Sequence, residues 1–165
     1  MQTHPDNMKK VRLYLSLGSN QGNREQNIEY AISMLNIELK TPYKAVSSLI
    51  ETEPWGFDSD EKFLNAVVMY EVLLPEGYNA EAEGLMILEK CKEIERKLGR
   101  TGNPQYDEAG KRIYASRPID IDILLLGDER IDCDELTVPH KLMWERDFVM
   151  VPLREIAGND LNLPQ

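Results

Sequence analysis

The sequence is poor in cysteine and histidine, short of positive charge, and without a long apolar run. Two cysteines, Cys91 and Cys133, in 165 residues exclude a disulfide framework and a thiolate metal cluster. That scarcity fits a reduced, cytoplasmic setting, with Cys91 as a small apolar residue inside an amphipathic helical pattern. No segment approaches the ~20 continuous apolar residues of a membrane span. Met1 to Lys10 is polar and holds a proline, unlike a signal peptide. Against 29 Asp and Glu stand only 19 Lys and Arg, a formal net charge of −10. This balance argues against a broad nucleic-acid surface. It also repels a polyanionic nucleotide unless local arginines and divalent cations reverse the field. Two nucleotide signatures are absent, the Gly-x-x-x-x-Gly-Lys-Ser/Thr phosphate loop and Gly-x-Gly-x-x-Gly. Any nucleotide must then be held by arginines, metals and backbone from another framework.

What is present reads as one domain of alternating strands and helices, with no internal repeat or linker. Val11, Leu13, Leu15 and Leu17 alternate with polar residues as a half-buried strand. A helix follows from about Arg24, with Asn23 as N-cap and Gln26 in the capping-box position, burying Ile28, Ala31, Ile32 and Leu35. A strand fits Tyr43 to Thr52, and another Phe63 to Leu73. A long helix fits Ala80 to Leu98, with Gly99 as its C′ residue. Arg100 to Arg112, polar and holding Gly102, Pro104 and Gly110, reads as a mobile loop. A strand from about Arg117 to Leu126 comes next, then a turn with a short strand, and a short helix including Phe148 and Val149. The order β-α-β-β-α-β predicts an α+β, ferredoxin-like split βαβ core with an antiparallel sheet and a C-terminal extension. Residues 1–10 are expected to be a flexible tail, 11–157 the domain, and 158–165 a loosely packed tail.

The strand Arg117–Leu126 carries the clearest chemical signal. Side chains alternate faces, so Ile119, Ile121 and Ile123 share one and Asp120 and Asp122 the other. Their Cα atoms are expected roughly 6.6 Å apart, two rises of ~3.3 Å. That spacing suits one hard cation or a bridged pair. It also fits an exposed face with a salt bridge to Arg117. Candidate nucleotide contacts are Arg100, Arg112, Arg117 and Arg146, with His140, which follows Pro139 in a non-periodic segment. Asp132 and Asp134 form a second Asp-x-Asp pair, but in an acidic turn with no apolar strand, and read as solvated. The stretch Thr52 to Asn65 holds Trp55, Phe57 and Phe63 beside the Asn65 amide. An aromatic face next to an amide suits a flat heterocycle, stacked on the ring and read along its edge. The same aromatics would equally cover the core.

Taken together, several segments resemble the 6-hydroxymethyl-7,8-dihydropterin pyrophosphokinase family of folate biosynthesis. They are Leu15-Ser16-Leu17-Gly18-Ser19-Asn20, Glu51-Thr52-Glu53-Pro54-Trp55-Gly56, Phe63-Leu64-Asn65-Ala66, Glu95 through Arg100, Arg117 through Leu124, and Thr137-Val138-Pro139-His140 with Arg146 and Phe148. The likeness covers about Leu13 to Ala157. It implies a pyrophosphokinase using ATP as co-substrate and two Mg²⁺ ions, acting on a pterin alcohol and releasing AMP. Together with the composition, the expectation is a cytoplasmic monomer acting on small molecules, with no nucleic-acid or membrane partner. Carried over by position, Asp120 and Asp122 hold the metals. Thr52, Glu53, Trp55, Phe63, Asn65 and Phe148 form the pterin pocket, with Phe63 and Phe148 sandwiching the ring. Glu95, Arg117, Ile123 (through its backbone), Thr137, His140 and Arg146 lie on the ATP side. Arg100, Arg117, Asp120 and Asp122 make up the catalytic set. Where the family often has Trp-Gly-Pro-Arg-Thr, this chain has Tyr114-Ala115-Ser116-Arg117-Pro118. The competing reading is a non-catalytic ferredoxin-like module that binds a metal or small ligand, since this architecture hosts many functions.

Overall fold

The computed structural model describes residues 7–52, 62–99, 105–106, 108–109, 112–113 and 118–158. The central strand is β1 (Met8–Ser19), which begins three residues before the alternation at Val11 suggests. It is antiparallel to β4 (Phe63–Pro75) on one side and to β7 (Asp120–Leu126) on the other. Beyond β4 lie β2 (Ala45–Val46) and β3 (Ile50–Thr52), both paired with it. The order β2-β4-β1-β7 is that of the split βαβ arrangement expected from the element order.

Two helices cover one face of this sheet. The first, α1 (Arg24–Glu38), starts where Asn23 accepts the Gln26 amide at 3.1 Å, as the capping signal predicts. The second, α2 (Ala80–Lys97), is capped in the same way by Asn79, and Gly99 follows its end with φ +108°. Ile28, Ala31 and Leu35 of α1, with Ile87, Cys91 and Ile94 of α2, pack on Leu13, Leu15, Leu17, Val68, Tyr70, Ile121 and Ile123. Among the described residues, α3 (Asp147–Ala157) packs on part of the opposite face; it is longer than the short helix expected, with Pro152 inside it. Val149, Met150 and Leu153 of α3 meet Tyr14, Val67, Met69, Leu124 and Leu125.

Three features differ from the sequence expectation. The strand expected over Tyr43–Thr52 is split. From Val46 opposite Val68 to Ile50 opposite Asn65, it advances four positions against three, so one residue bulges out. The bulge is held by side chains: the Ser47 hydroxyl accepts the Val67 amide at 2.8 Å, and Glu155 of α3 accepts both the amide and the hydroxyl of Ser48. A second irregularity sits in β7. Tyr14 faces Leu125 and Leu15 faces Ile123, leaving Leu124 as the extra residue. Finally, the span read as a loop holds a two-stranded ladder among its described residues, β5 (Gln105–Tyr106) with β6 (Arg112–Ile113). Each strand contributes a β-favouring residue, Tyr106 and Ile113. A further small ladder joins β8 (Ile131–Asp132) to β9 (Thr137–Val138), with Asp132 and Asp134 exposed as expected.

Candidate active site

Strand parity decides which side chains share the part of the second face away from α3. Residues paired across an antiparallel ladder lie on the same side. Asn65 pairs with Gly18, and Gly18 pairs with Asp120, so the three form one row across β4, β1 and β7. Val67, Ser16 and Asp122 form the next row. Phe63 is two residues from Asn65 and therefore on its face. The helix-facing parity takes Ile119, Ile121 and Ile123 into the core instead. The sheet thus brings the amide and ring of the candidate heterocycle pocket and the two carboxylates to one surface, from strands more than fifty residues apart in sequence.

The bulge before β3 matters here. In the register of β2, Glu51 would fall opposite Phe63. The extra residue puts Thr52 there instead. Thr52 then meets Asn65, whose Nδ2 donates to Thr52 Oγ1 at 2.9 Å and to the Ile50 carbonyl at 3.3 Å. With both amide hydrogens directed that way, Asn65 turns its Oδ1 toward Gly18. It therefore offers a ligand an acceptor, suited to ring N–H or amino donors.

At the other end of the row, Asp120 and Asp122 are half-buried. Glu95, on α2, is buried, and its Oε2 accepts the Ile121 amide between them at 2.8 Å. That bond occupies a backbone donor on the outer edge of β7. Ile123 is buried, with its side chain in the helix-facing core. His140 follows the cis Val138–Pro139 bond and is tied to β7 by its amide, which donates to the Leu124 carbonyl at 3.0 Å. Its Nδ1 accepts the Leu142 amide at 3.2 Å, which leaves the proton of the neutral ring on Nε2. Burial, then the Arg146 charge, hold its pKa below the ordinary histidine value, while Asp120 pulls it the other way. The Arg146 guanidinium carbon stands 5.7 Å from the centroid of the half-buried Phe148 ring, a cation–π contact on one face of that ring. Thr137, half-buried, ends the chain's return toward this edge in β9. Glu53, Trp55, Arg100 and Arg117 lie outside the described residues.

Could this donor set hold a metal? Among the described residues, no group of three or more His, Cys, Asp or Glu side chains is arranged to do so. A closed, all-protein cage is therefore not offered there. Two carboxylates on one strand face do match Mg²⁺, which binds through one or two carboxylates and completes its shell with water and phosphate oxygens. Cys91 is no candidate nucleophile: burial pushes its thiol up to about 12, with Glu95 and Asp122 adding to the effect.

Ser16 and Gly18 lie on the floor of the site, within the Leu15–Asn20 segment that carries part of the resemblance, though neither was assigned a role from it. Arg24 donates to the Lys62 carbonyl and to Glu51 Oε2, each at 2.8 Å, and so ties residues on both sides of the 53–61 segment. A cation in the first turn of a helix opposes the helix dipole, and that was the available hint.

Known proteins resemble this chain in sequence and in fold. The profile of the family described as 7,8-dihydro-6-hydroxymethylpterin-pyrophosphokinase matches residues 14–158. The chain is 42% identical over 146 residues to a 2-amino-4-hydroxy-6-hydroxymethyldihydropteridine pyrophosphokinase of Porphyromonas gingivalis, covering 88% of this chain and 90% of that one. A protein of the same name from Bacillus subtilis is 36% identical over 144 residues, 87% of this chain and 77% of that one. A crystal structure described as HPPK-DHPS in complex with substrates superposes with a TM-score of 0.59 at 13% identity, a likeness of fold. That match covers 90% of this chain, which spans 40% of the length of the other.

Proposed function

The chain belongs to the 7,8-dihydro-6-hydroxymethylpterin-pyrophosphokinase family, and from that premise we propose that it transfers pyrophosphate from ATP to the hydroxymethyl group of 6-hydroxymethyl-7,8-dihydropterin. The products are AMP and the pterin diphosphate, a step of folate biosynthesis. The observation that carries the reading is the row Asn65–Gly18–Asp120, which sets a heterocycle-reading amide and a cation-binding carboxylate on one face.

In this reading Asn65 accepts from a donor on the pterin edge through Oδ1, held in that orientation by Thr52. Phe63 and Phe148 stack on opposite faces of the ring, with Arg146 backing Phe148. Glu53 and Trp55 complete the pocket. Asp120 and Asp122 would hold two Mg²⁺ ions, which when bound would supply charge neutralisation on the triphosphate. The β-phosphorus is the point of attack. The hydroxymethyl oxygen forms a bond to that phosphorus, and the bond from it to the bridging oxygen of the α-phosphate breaks, so AMP leaves with the electron pair. The alcohol proton passes to solvent. A loose phosphoryl-transfer transition state does not demand a strong base, and no such base is assigned. Neutral His140 donates from Nε2 to the triphosphate. Arg146, Arg100 and Arg117 add positive charge around it, where each is worth most in the transition state. Thr137 and the Ile123 backbone contact the nucleotide. Glu95 serves the same side indirectly, by fixing the amide between the two aspartates.

No helix among the described residues is long and apolar enough to cross a membrane. The free thiols Cys91 and Cys133 fit a cytoplasmic enzyme, which we take to act as a monomeric single domain. The test is direct. Protein is mixed with Mg²⁺-ATP and the pterin alcohol, and AMP is measured. AMP release that requires the pterin is the expected result. Binding of both ligands without turnover would instead favour the non-catalytic module.

A further inference from the structure

Glycine within a strand gives it no side chain to pack. Gly18, last but one in β1, is such a residue. It is buried, with Asn65 across one ladder and Asp120 across the other. Its backbone does not require glycine, since its φ is outside the left-handed region occupied by Gly22 and Gly99. The reason for it lies in space. A Cβ at this position would stand 3.2 Å from Asn65 Oδ1 and 3.6 Å from Phe63 Cδ1. Both atoms belong to the candidate pocket and neither to the apolar core.

We propose that Gly18 is a specificity-determining residue: its missing side chain keeps open the floor between the Asn65 amide and the Asp120 carboxylate, on which the hydroxymethyl-bearing heterocycle lies. The inference rests on the pterin reading given above. Neighbouring strands are ~4.8 Å apart, so Asn65 and Asp120 are separated across Gly18 by roughly two such spacings. The gap is local. Ser16, two residues away on the same face, already carries a side chain opposite Asp122. An added methyl would act twice. It would raise the ring from the floor, and it would press on the oxygen that reads the ring edge. The fold should tolerate it, because a contact of 3.2 Å is tight rather than prohibitive and needs a shift of only a few tenths of an ångström. A hydrogen bond aimed at a ligand is less tolerant of that shift.

The experiment compares wild type, Gly18→Ala and Gly18→Val. Thermal melting, affinity for a non-hydrolysable Mg²⁺-ATP analogue and KM for the pterin alcohol are measured for each. Gly18→Ala is expected to melt within a few degrees of wild type and bind the nucleotide analogue unchanged. Its pterin KM should rise at least about tenfold, and Gly18→Val should lose pterin binding altogether. Leu17→Val, on the helix-facing side of the same strand, should lose stability and keep its pterin KM. Three results would overturn the assignment: an unchanged pterin KM in Gly18→Ala, an equal loss of nucleotide affinity, or a Gly18→Ala chain that does not fold. The last would mean that glycine serves the strand and not the site. Wild-type AMP release separates this test from the underlying reading. No pterin-dependent AMP from wild type removes the reading itself, whereas normal turnover with an unimpaired Gly18→Ala removes only the role of Gly18.

Discussion

Asp120 and Asp122 lie two residues apart on one face of β7, where their like charges repel. Replacing either by alanine removes a proposed metal ligand and a like charge but no core side chain. The fold should survive, while pyrophosphoryl transfer falls by about 10²–10³-fold or more, the scale of losing a preorganised charge partner in a transition state. Steady-state AMP production at moderate Mg²⁺ checks this, and turnover within a few-fold of wild type would remove the metal assignment. His140 gives a prediction in pH. Burial and Arg146 lower its folded-state pKa. Between that value and the unfolded value of about 6.5, the unfolded chain binds more protons, so stability rises with pH. The contribution is complete above about 6.5 and is lost as pH falls through the folded value. The melting temperature should therefore drop more steeply on acidification in wild type than in His140→Gln. An imidazole titration midpoint at or above 6.5 in the nucleotide-free protein would contradict the depressed value.

At the scale of elements, what was legible in the sequence was local. Asn23 sits three residues before Gln26, and α1 begins between them. The faces of the aspartate strand follow from a period of two. The bulge between β2 and β3 was not legible, because its partner in α3 is 107 residues away from Ser48. Only the folded sheet brings Glu155 to that turn. Ser48 holds the Glu155 carboxylate below its usual range, through its hydroxyl first and its amide second. The link is thus fully present above the ordinary glutamate value and is lost as pH falls through the lowered one. Its consequence reaches the site, since the bulge sets Thr52 rather than Glu51 on the face of Asn65. Glu155→Gln cannot accept both Ser48 donors as a carboxylate does. It is expected to raise the pterin KM several-fold with little change in the KM for ATP. Equal changes in both would point to general loosening of α3, and no change would make the clamp irrelevant to the pocket.

The whole molecule is three layers, with α1 and α2 on one side of the sheet and α3 over part of the other. The ferredoxin-like order could be read from the succession of elements. The coincidence of Asn65 and Asp120 could not, because it depends on β1 lying between β4 and β7 and on Gly18 lying opposite both. Resemblance supplied the residue roles that geometry alone would have left open. Charge is the property that belongs to no single element. At −10, the molecule opposes the approach of ATP, and its local cations must overcome that field within the site. Salt screens the distant carboxylates more than the short contacts of the pocket, with a Debye length of about 10 Å at 0.1 M falling to about 3 Å at 1 M. Without divalent cations, the association rate of ATP should therefore rise as NaCl increases from low concentration, the reverse of a basic nucleotide-binding protein. With Mg²⁺ present, the ligand carries less charge and the dependence should flatten. Stopped-flow binding of a fluorescent ATP analogue across ionic strength decides the matter. A rate that falls with salt in the absence of Mg²⁺ would mean that the arginines, and not the net charge, govern the approach.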